Sequence, residues 1–416
     1  MKHALLIAYH FPPVAGSSGV LRTLKFSRYL PEFGWQPSVL SVHPRAYERV
    51  SDAQLAEVPE QMTVVRTFAL DAARHLAVAG RYSRWFALPD RWSSWLLGAI
   101  PSGLKMIRHQ RPTVLWSTYP MPTAHLAGFL LHRLTGLPWV ADCRDSMLDD
   151  SYPSDPLKRK AHAWLERQVV TTASRVIFTT TGTLQMYAER YPEIPRNRWV
   201  LIANGFDEAD FCGKDQCSAL TNTHSRKLIL LHSGLIDPID RDPRPFLFAL
   251  AELKERGRIS AQKIKILFRA PGSGSEIKLL SWISAHGLDD IVEVAPPLQY
   301  AEALAEMAEV DALLLFQGKT CNHQIPAKIY EYLRVGHPII GLIDPAGDTA
   351  ALLQEAGVNT ILPLDDKDAL IAALPGLLEQ LKAGSLPVSP SEIIASYSRR
   401  ERTAELAAVF EQVAAV

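Results

Sequence analysis

One feature constrains this chain more than any other. Short β-branched or apolar runs alternate with longer stretches whose apolar residues recur at helical spacing. HALLIAY, PSVLSV, TVLWSTY, PWVADC and RVIFTT fill the first half, and after Asn204–Gly205 the rhythm restarts with KLILLHSG, IKILFRA, IVEVAP, DALLLF, PIIGLI and NTILPL. Strands this apolar are buried on both faces, which requires a parallel sheet covered by helices. The restart predicts two doubly wound α/β domains, residues 1–205 and 206–390, joined through an aperiodic, polar stretch near 207–226. Residues 391–416 read as one helix whose Leu406, Val409 and Phe410 share a face, with its packing partner open between the two domains.

Composition closes off other classes. With 416 residues, 47% hydrophobic and 21% charged, the chain can bury two sizeable cores, and disordered, collagenous and coiled-coil readings fail. Four cysteines without a CxxC pair give no zinc spacing and read as reduced thiols. The start MKHALLIAYHF enters a strand directly, without signal-peptide features, and the longest apolar stretch is broken by His132 and Arg133, so the expected location is cytoplasmic. Formal net charge is zero, yet residues 1–205 carry 24 Lys+Arg against 15 Asp+Glu and residues 206–416 carry 20 against 29. A basic half rich in tryptophan (RWFALPDRWSSW at 84–95) fits a peripheral membrane contact, with core packing as the plainer reading. Dispersed basic residues and a neutral total argue against nucleic acid.

In sheets of this kind ligands sit beyond the carboxyl ends of the strands, so the loops after the strands are where chemistry is sought. The first loop, 9–19, is rich in small residues and leads into a helix near Val20. Its Gly16 and neighbouring backbone N–H groups suit an anion, with Arg22 adding charge, although neither a dinucleotide nor a P-loop pattern is present. ADCRDS (141–146) ends a strand with Asp142, Arg144 and Asp145. Either Arg144 pins the loop through one of the carboxylates, or a carboxylate receives an acceptor hydroxyl that Arg144 orients. In the second half, Ser233 and Gly234 close a strand, and Arg241 and Arg244 precede a helix whose first turn holds Pro245, a suitable clamp for a diphosphate unless Asp240 and Asp242 neutralise it. In NHQIPAKIYEYLRVGHPII (322–340) a helix starting at Pro326 and ending at Gly336 carries Lys328 and Glu331 on one face, either holding a phosphate and a ribose diol or forming a surface ion pair.

At this last segment the chain resembles the carboxyl-terminal signature of GT-B glycosyltransferases, particularly glycosyltransferase family 4. YHFPPVAGSSGVLRTLKFSRYL, WVADCRDSM and LIANGFD agree in order and spacing, so the resemblance spans essentially the whole chain. It implies two Rossmann-like domains facing across a cleft, a nucleotide-sugar donor (UDP- or GDP-linked) on the second, a saccharide or lipid-linked acceptor on the first, and retaining transfer with neither cofactor nor metal. It further implies that Glu331 binds the ribose hydroxyls, that Arg241 or Arg244 meets the diphosphate, that Gly16 lies in the loop facing the donor phosphate, and that Asp142, Arg144 and Asp145 face the acceptor. The family's E-x7-E pattern is broken, because its first glutamate is His323 here; His323, Asn322 or Gln324 would then address the sugar hydroxyls. A non-catalytic GT-B subunit and a GT-B sugar-nucleotide epimerase are the alternative readings.

Overall fold

The computed structural model describes residues 1–15, 19–149, 152–211 and 227–415, and the chain divides into two compact units. Unit 1 comprises Met1–Asn204 together with Arg399–Val416, and unit 2 comprises Gly205–Ser398. The expected loop glycine Gly16 lies outside the described residues, as does the 212–226 part of the connection expected over 207–226.

Among the described residues, unit 1 is built on seven parallel strands: β1 (Lys2–Ile7), β2 (Trp35–Val42), β3 (Thr63–Thr67), β4 (Val114–Thr118), β5 (Trp139–Cys143), β6 (Arg175–Phe178) and β7 (Trp199–Leu201), in the order β3-β2-β1-β4-β5-β6-β7. The strands nearest the centre are the most apolar; all of β4 and β5 is buried, as a sheet covered on both faces demands. Helices α1 (Gly19–Tyr29), α2 (Ala72–His75), α3 (Leu96–Gln110), α4 (Pro122–Thr135), α5 (Pro156–Thr172) and α6 (Thr181–Arg190) connect them. Two strands, β3 and β7, carry no strong apolar run. They are the sheet's edges, short and only partly buried, and for that reason leave a weak sequence signal.

Unit 2 repeats the plan with β8 (Leu228–Ser233), β9 (Ile264–Arg269), β10 (Val292–Ala295), β11 (Ala312–Gln317), β12 (Ile339–Ile343) and β13 (Ile361–Leu362), ordered β10-β9-β8-β11-β12-β13 and all parallel. Its helices are α7 (Arg244–Glu255), α8 (Ser273–Ala285), α9 (Tyr300–Glu309), α10 (Lys328–Val335), α11 (Asp348–Glu355), α12 (Lys367–Lys382) and α13 (Ser391–Ser396). Helix α10 begins two residues after Pro326, which forms a turn with Ile329, and stops where Gly336 adopts φ +80°, so that β12 can start at Ile339.

The expected single helix over 391–416 is two. After α13 the chain bends, and α14 (Arg399–Ala414) packs against unit 1. Leu406, Ala407, Val409, Phe410 and Val413 join a core that also holds Ala4, Leu6, Leu24, Trp35 and Trp116, with Phe410 edge-on to Trp35 at 5.3 Å between ring centres. Among the described residues no helix is long and apolar enough to cross a membrane.

Candidate functional site

In unit 2 several segments converge at the carboxyl edge of the sheet: the end of β8, the loop 237–242, the turn 317–324 after β11, and the first turn of α10. Lys328 is the centre of this cluster. Its ammonium donates to the carbonyl oxygen of Ser233 at 3.0 Å and lies 3.1 Å from Nε2 of His232. His232 is fully buried, with Nδ1 3.0 Å from the carbonyl oxygen of Leu314. For Nε2 to accept from Lys328, the ring proton must sit on Nδ1, which then donates to Leu314. Burial, and after it the charge of Lys328, holds His232 well below the usual histidine range and so in this neutral, accepting form.

Two of the three N–H donors of Lys328 are thus directed into the loop, and the third has no acceptor among the described residues. Burial first, then the nearby Arg241, depress the Lys328 pKa strongly, while Glu331 opposes the shift. Gly234, at φ +128°, makes the turn, and Tyr332 fixes it by accepting from the N–H of Ser233 at 2.9 Å.

The two arginines of the expected clamp separate. Arg244 is neutralised by Asp242, whose carboxylate takes Nε at 2.9 Å and Nη2 at 2.6 Å, and it lies over the ring of Trp282. A diphosphate role for Arg244 therefore gives way to a local structural one. Arg241 has no ion-pair partner among the described residues, because Asp240 accepts instead from Thr320 Oγ1 at 2.7 Å. Lys328 and Arg241 therefore form a small, incompletely neutralised cationic pair beside Ser233 and Gly234. One turn along α10, Glu331 accepts from the hydroxyl of Tyr300 at 2.8 Å. Asn322 Nδ2 donates to Asp344 at 2.7 Å, and the backbone carbonyl of Asn322 accepts from the N–H of Asp348, which ties this turn to the segment after β12. His323 remains on the same half-buried turn.

In unit 1 the loop after β5 also sorts itself. Asp142 and Arg22 are both completely buried and form a forked pair, Nη2 to Oδ1 at 2.8 Å and Nε to Oδ2 at 3.0 Å. Thr118 adds a bond to Asp142 at 2.8 Å, and the remaining donors of Arg22 reach the carbonyl oxygens of Ile202 and Ala203. This pair staples α1 to β5 and to the chain after β7; it replaces the expected catalytic role of Asp142 and the donor-binding role of Arg22, since neither group has polar capacity left for a ligand. Arg144 donates to the carbonyl of Gly19 at 2.8 Å, while its buried Nε has no hydrogen-bond acceptor among the described residues. Asp145 is the half-exposed carboxylate of this loop. His10, within reach of the Arg144 charge, is held neutral, its pKa lowered to about 4 by burial and by that charge.

A pocket of about 330 Å³ opens at the carboxyl ends of β1, β2 and β3, lined by Tyr9, His10, Tyr47, Arg49, Arg91 and Trp92 among others. Tyr9 packs against Trp92 at 5.2 Å, Arg91 lies over the Trp92 ring at 4.5 Å, and Asp71 sits 3.4 Å from Arg91. An aromatic wall with several polar groups suits a sugar ring. Sequence reasoning missed this pocket, together with His232 and Tyr300, because each depends on segments brought together from distant parts of the chain.

Residues 19–205 match the glycosyl transferase 4-like domain. The chain has the GT-B fold. This GT-B chain is similar over its full length to sucrose-phosphate synthase from Thermosynechococcus elongatus, with a TM-score of 0.68, 12% identity and 100% of each chain covered. It is similar also to Anabaena HepE, solved in complex with UDP and glucose, with a TM-score of 0.64, 12% identity, and 99% and 100% of the two chains covered. WaaG, a glycosyltransferase of lipopolysaccharide biosynthesis, gives a TM-score of 0.59 at 14% identity, with 99% of this chain and 98% of that one covered. At these identities the structural likeness speaks for the GT-B fold. No curated relative matches at the sequence level.

Proposed function

We propose that the protein transfers a sugar, with retention, from a UDP- or GDP-sugar to a hydroxyl of a saccharide or lipid-linked acceptor in the making of a cell-surface polysaccharide or glycolipid. The observation that carries this reading is the cationic pair Lys328 and Arg241 beside Ser233 and Gly234, a site for two adjacent phosphates at a helix start. Glu331, oriented by Tyr300, supplies the carboxylate that takes the two ribose hydroxyls. The HepE complex with UDP makes UDP the first nucleotide to try.

In this mechanism the bond from the anomeric carbon to the diphosphate breaks as the acceptor oxygen approaches the same face. The acceptor proton passes to the departing phosphate oxygen. Lys328 and Arg241 balance the negative charge that grows on the leaving diphosphate, so the reaction as proposed calls on neither a metal nor a protein nucleophile. Asp145 and His10 orient the acceptor hydroxyl, and the pocket of Tyr9 and Trp92 holds the acceptor's terminal ring. The protein works at the cytosolic side of a membrane.

Thermal-shift measurement against UDP-, GDP-, ADP- and dTDP-sugars in chelator, then with Mg²⁺, tests the reading. A ligand at 100 times its dissociation constant stabilises the native state by about 2.7 kcal/mol. A shift in chelator with one nucleotide series, followed by formation of an α-linked product from an α-linked donor, supports it. Absence of any shift, or a shift that needs Mg²⁺, counts against the site as built here.

A further inference from the structure

From the end of β3 into the first turn of α3 the chain makes a long excursion, residues 68–97, that is not needed to complete the sheet. It carries an uncommon concentration of exposed apolar side chains: Val78 is 81% exposed, Trp85 74%, Leu97 74%, Phe86 55% and Phe68 53%. Four of them, Phe68, Trp85, Phe86 and Leu97, are neighbours through the backbone. Ser93 Oγ donates to the carbonyl of Phe86, Ser94 Oγ bonds both the N–H and the carbonyl of Leu70, and a Cβ on Gly98 would touch the backbone of Phe68 at 2.9 Å. Phe68, Phe86 and Leu97 therefore border the same short turn, with Trp85 beside Phe86.

The charge of the excursion is one-sided where it meets solvent. Its acids are Asp71 and Asp90, both buried, whereas Arg74, Arg81 and Arg84 are exposed and Arg91 is partly so. Arg84 is met by Asp155 and Arg91 by Asp71 and Glu48; Arg81 stands on the Val78–Arg81 turn and Arg74 donates to the carbonyl of Tyr47. Indole and phenyl rings with arginines among them form the chemistry of a membrane interface: the rings enter the headgroup layer, and the guanidinium groups meet lipid phosphates.

We infer that residues 68–97 dock unit 1 on an anionic bilayer through Phe68, Trp85, Phe86 and Leu97, with Arg74 and Arg81 on the headgroups. The same excursion supplies Arg91 and Trp92 to the pocket described above, and the N–H of Ala72 donates to the carbonyl of Arg91, so the docking rim and the pocket wall are one piece of chain. Docking would bring the pocket to the headgroup of a lipid-borne acceptor. That consequence rests on the transferase reading; the docking itself does not.

Sedimentation of the full chain with phosphatidylcholine vesicles, with and without about one-third phosphatidylglycerol, decides the matter. The wild type is expected to partition at least about 5-fold more strongly onto the anionic vesicles, with loss of that preference at high salt. Trp85→Ser with Phe86→Ser should weaken binding by about 10-fold or more, and Arg81→Glu by several-fold. Both sets of residues are exposed, so an unchanged melting temperature verifies that the variants fold. Failure of the wild type to bind anionic vesicles, equal binding to neutral ones, or binding untouched by the double substitution overturns the inference. Thermal shift with UDP-sugars on the same samples reports separately on the transferase reading.

Discussion

Arg22 and Asp142 show how a residue pattern with the chemistry of a site can belong to the core. Each is fully buried and each satisfies the other, so removing one leaves an uncompensated charge in a low-dielectric interior. Arg22→Ala is expected to destabilise unit 1 by roughly 3–5 kcal/mol, and Asp142→Asn to lower its melting temperature in the same direction. A folded Asp142→Asn protein with unaltered melting and lost turnover would contradict the structural role. Lys328→Ala removes the group proposed above to meet the diphosphate, and should lower nucleotide-sugar affinity by about 1–3 kcal/mol in addition to the stability lost with its bonds to His232 and Ser233. Because the Lys328 pKa is depressed in the free protein, an incoming diphosphate raises it; binding should take up protons and weaken as pH rises, measurable by calorimetry in buffers of different ionisation enthalpy. The histidines of unit 1 predict a further pH effect. His10 and His125 titrate at about 4 in the fold, His125 because burial outweighs the pull of Asp142, whereas the unfolded chain takes their protons near pH 6.5. The unfolded state thus binds more protons between those values. Stability present above about pH 6.5 is lost as pH falls toward 4, at up to about 1.4 kcal/mol per pH unit for each histidine. A shallower decline in His125→Gln, followed by melting temperature against pH, is the expected outcome.

Among the elements, α10 joins structure to site most closely. Tyr332, in its middle, accepts from the N–H of Ser233, and Lys328, in its first turn, donates to the carbonyl of the same residue, so one helix grips both sides of one peptide-bearing position. Tyr332→Phe removes the acceptor from that N–H and should cost about 1–3 kcal/mol if the group stays dry, with a larger rise in donor KM than fall in kcat. The sequence revealed this helix well, because Pro326, Lys328, Glu331 and Gly336 follow the grammar of helix start and stop. It revealed β3 and β7 poorly, since an edge strand of three to five half-exposed residues needs no apolar run. It left the partner of the last helix open, because an apolar stripe states that something is covered and not what covers it.

For the whole molecule, the alternation of runs and helical spacings was enough to expect paired α/β sheets, since few other arrangements bury so many apolar strands. The site was legible only in part. Lys328, Arg241 and Glu331 could be proposed from helix-start chemistry, yet His232 and Tyr300 enter through contacts 96 and 31 residues away in the chain, and Arg244 is taken up by Asp242. The return of α14 to unit 1 has an effect on integrity. Leu406, Val409, Phe410 and Val413 are each buried there, at about 1.5–3 kcal/mol apiece, a sum comparable with the 5–15 kcal/mol that holds a typical domain together. A chain ending at Ser398 should therefore bind a hydrophobic dye through unit 1 and be quietened by a synthetic peptide of residues 399–416; a cooperative, dye-silent unit 1 in that truncation would disprove the dependence.

The same helix imposes an order on birth. A ribosome delivers residues 1–204 first, but Trp35 and its neighbours wait for Phe410 until all of unit 2 has been made, so the unit that is begun first is completed after the other. During that interval unit 2 can close as it emerges, while the older portion stays open to chaperones. A stop or frameshift before Arg399 would be felt in the sheet that begins at Lys2.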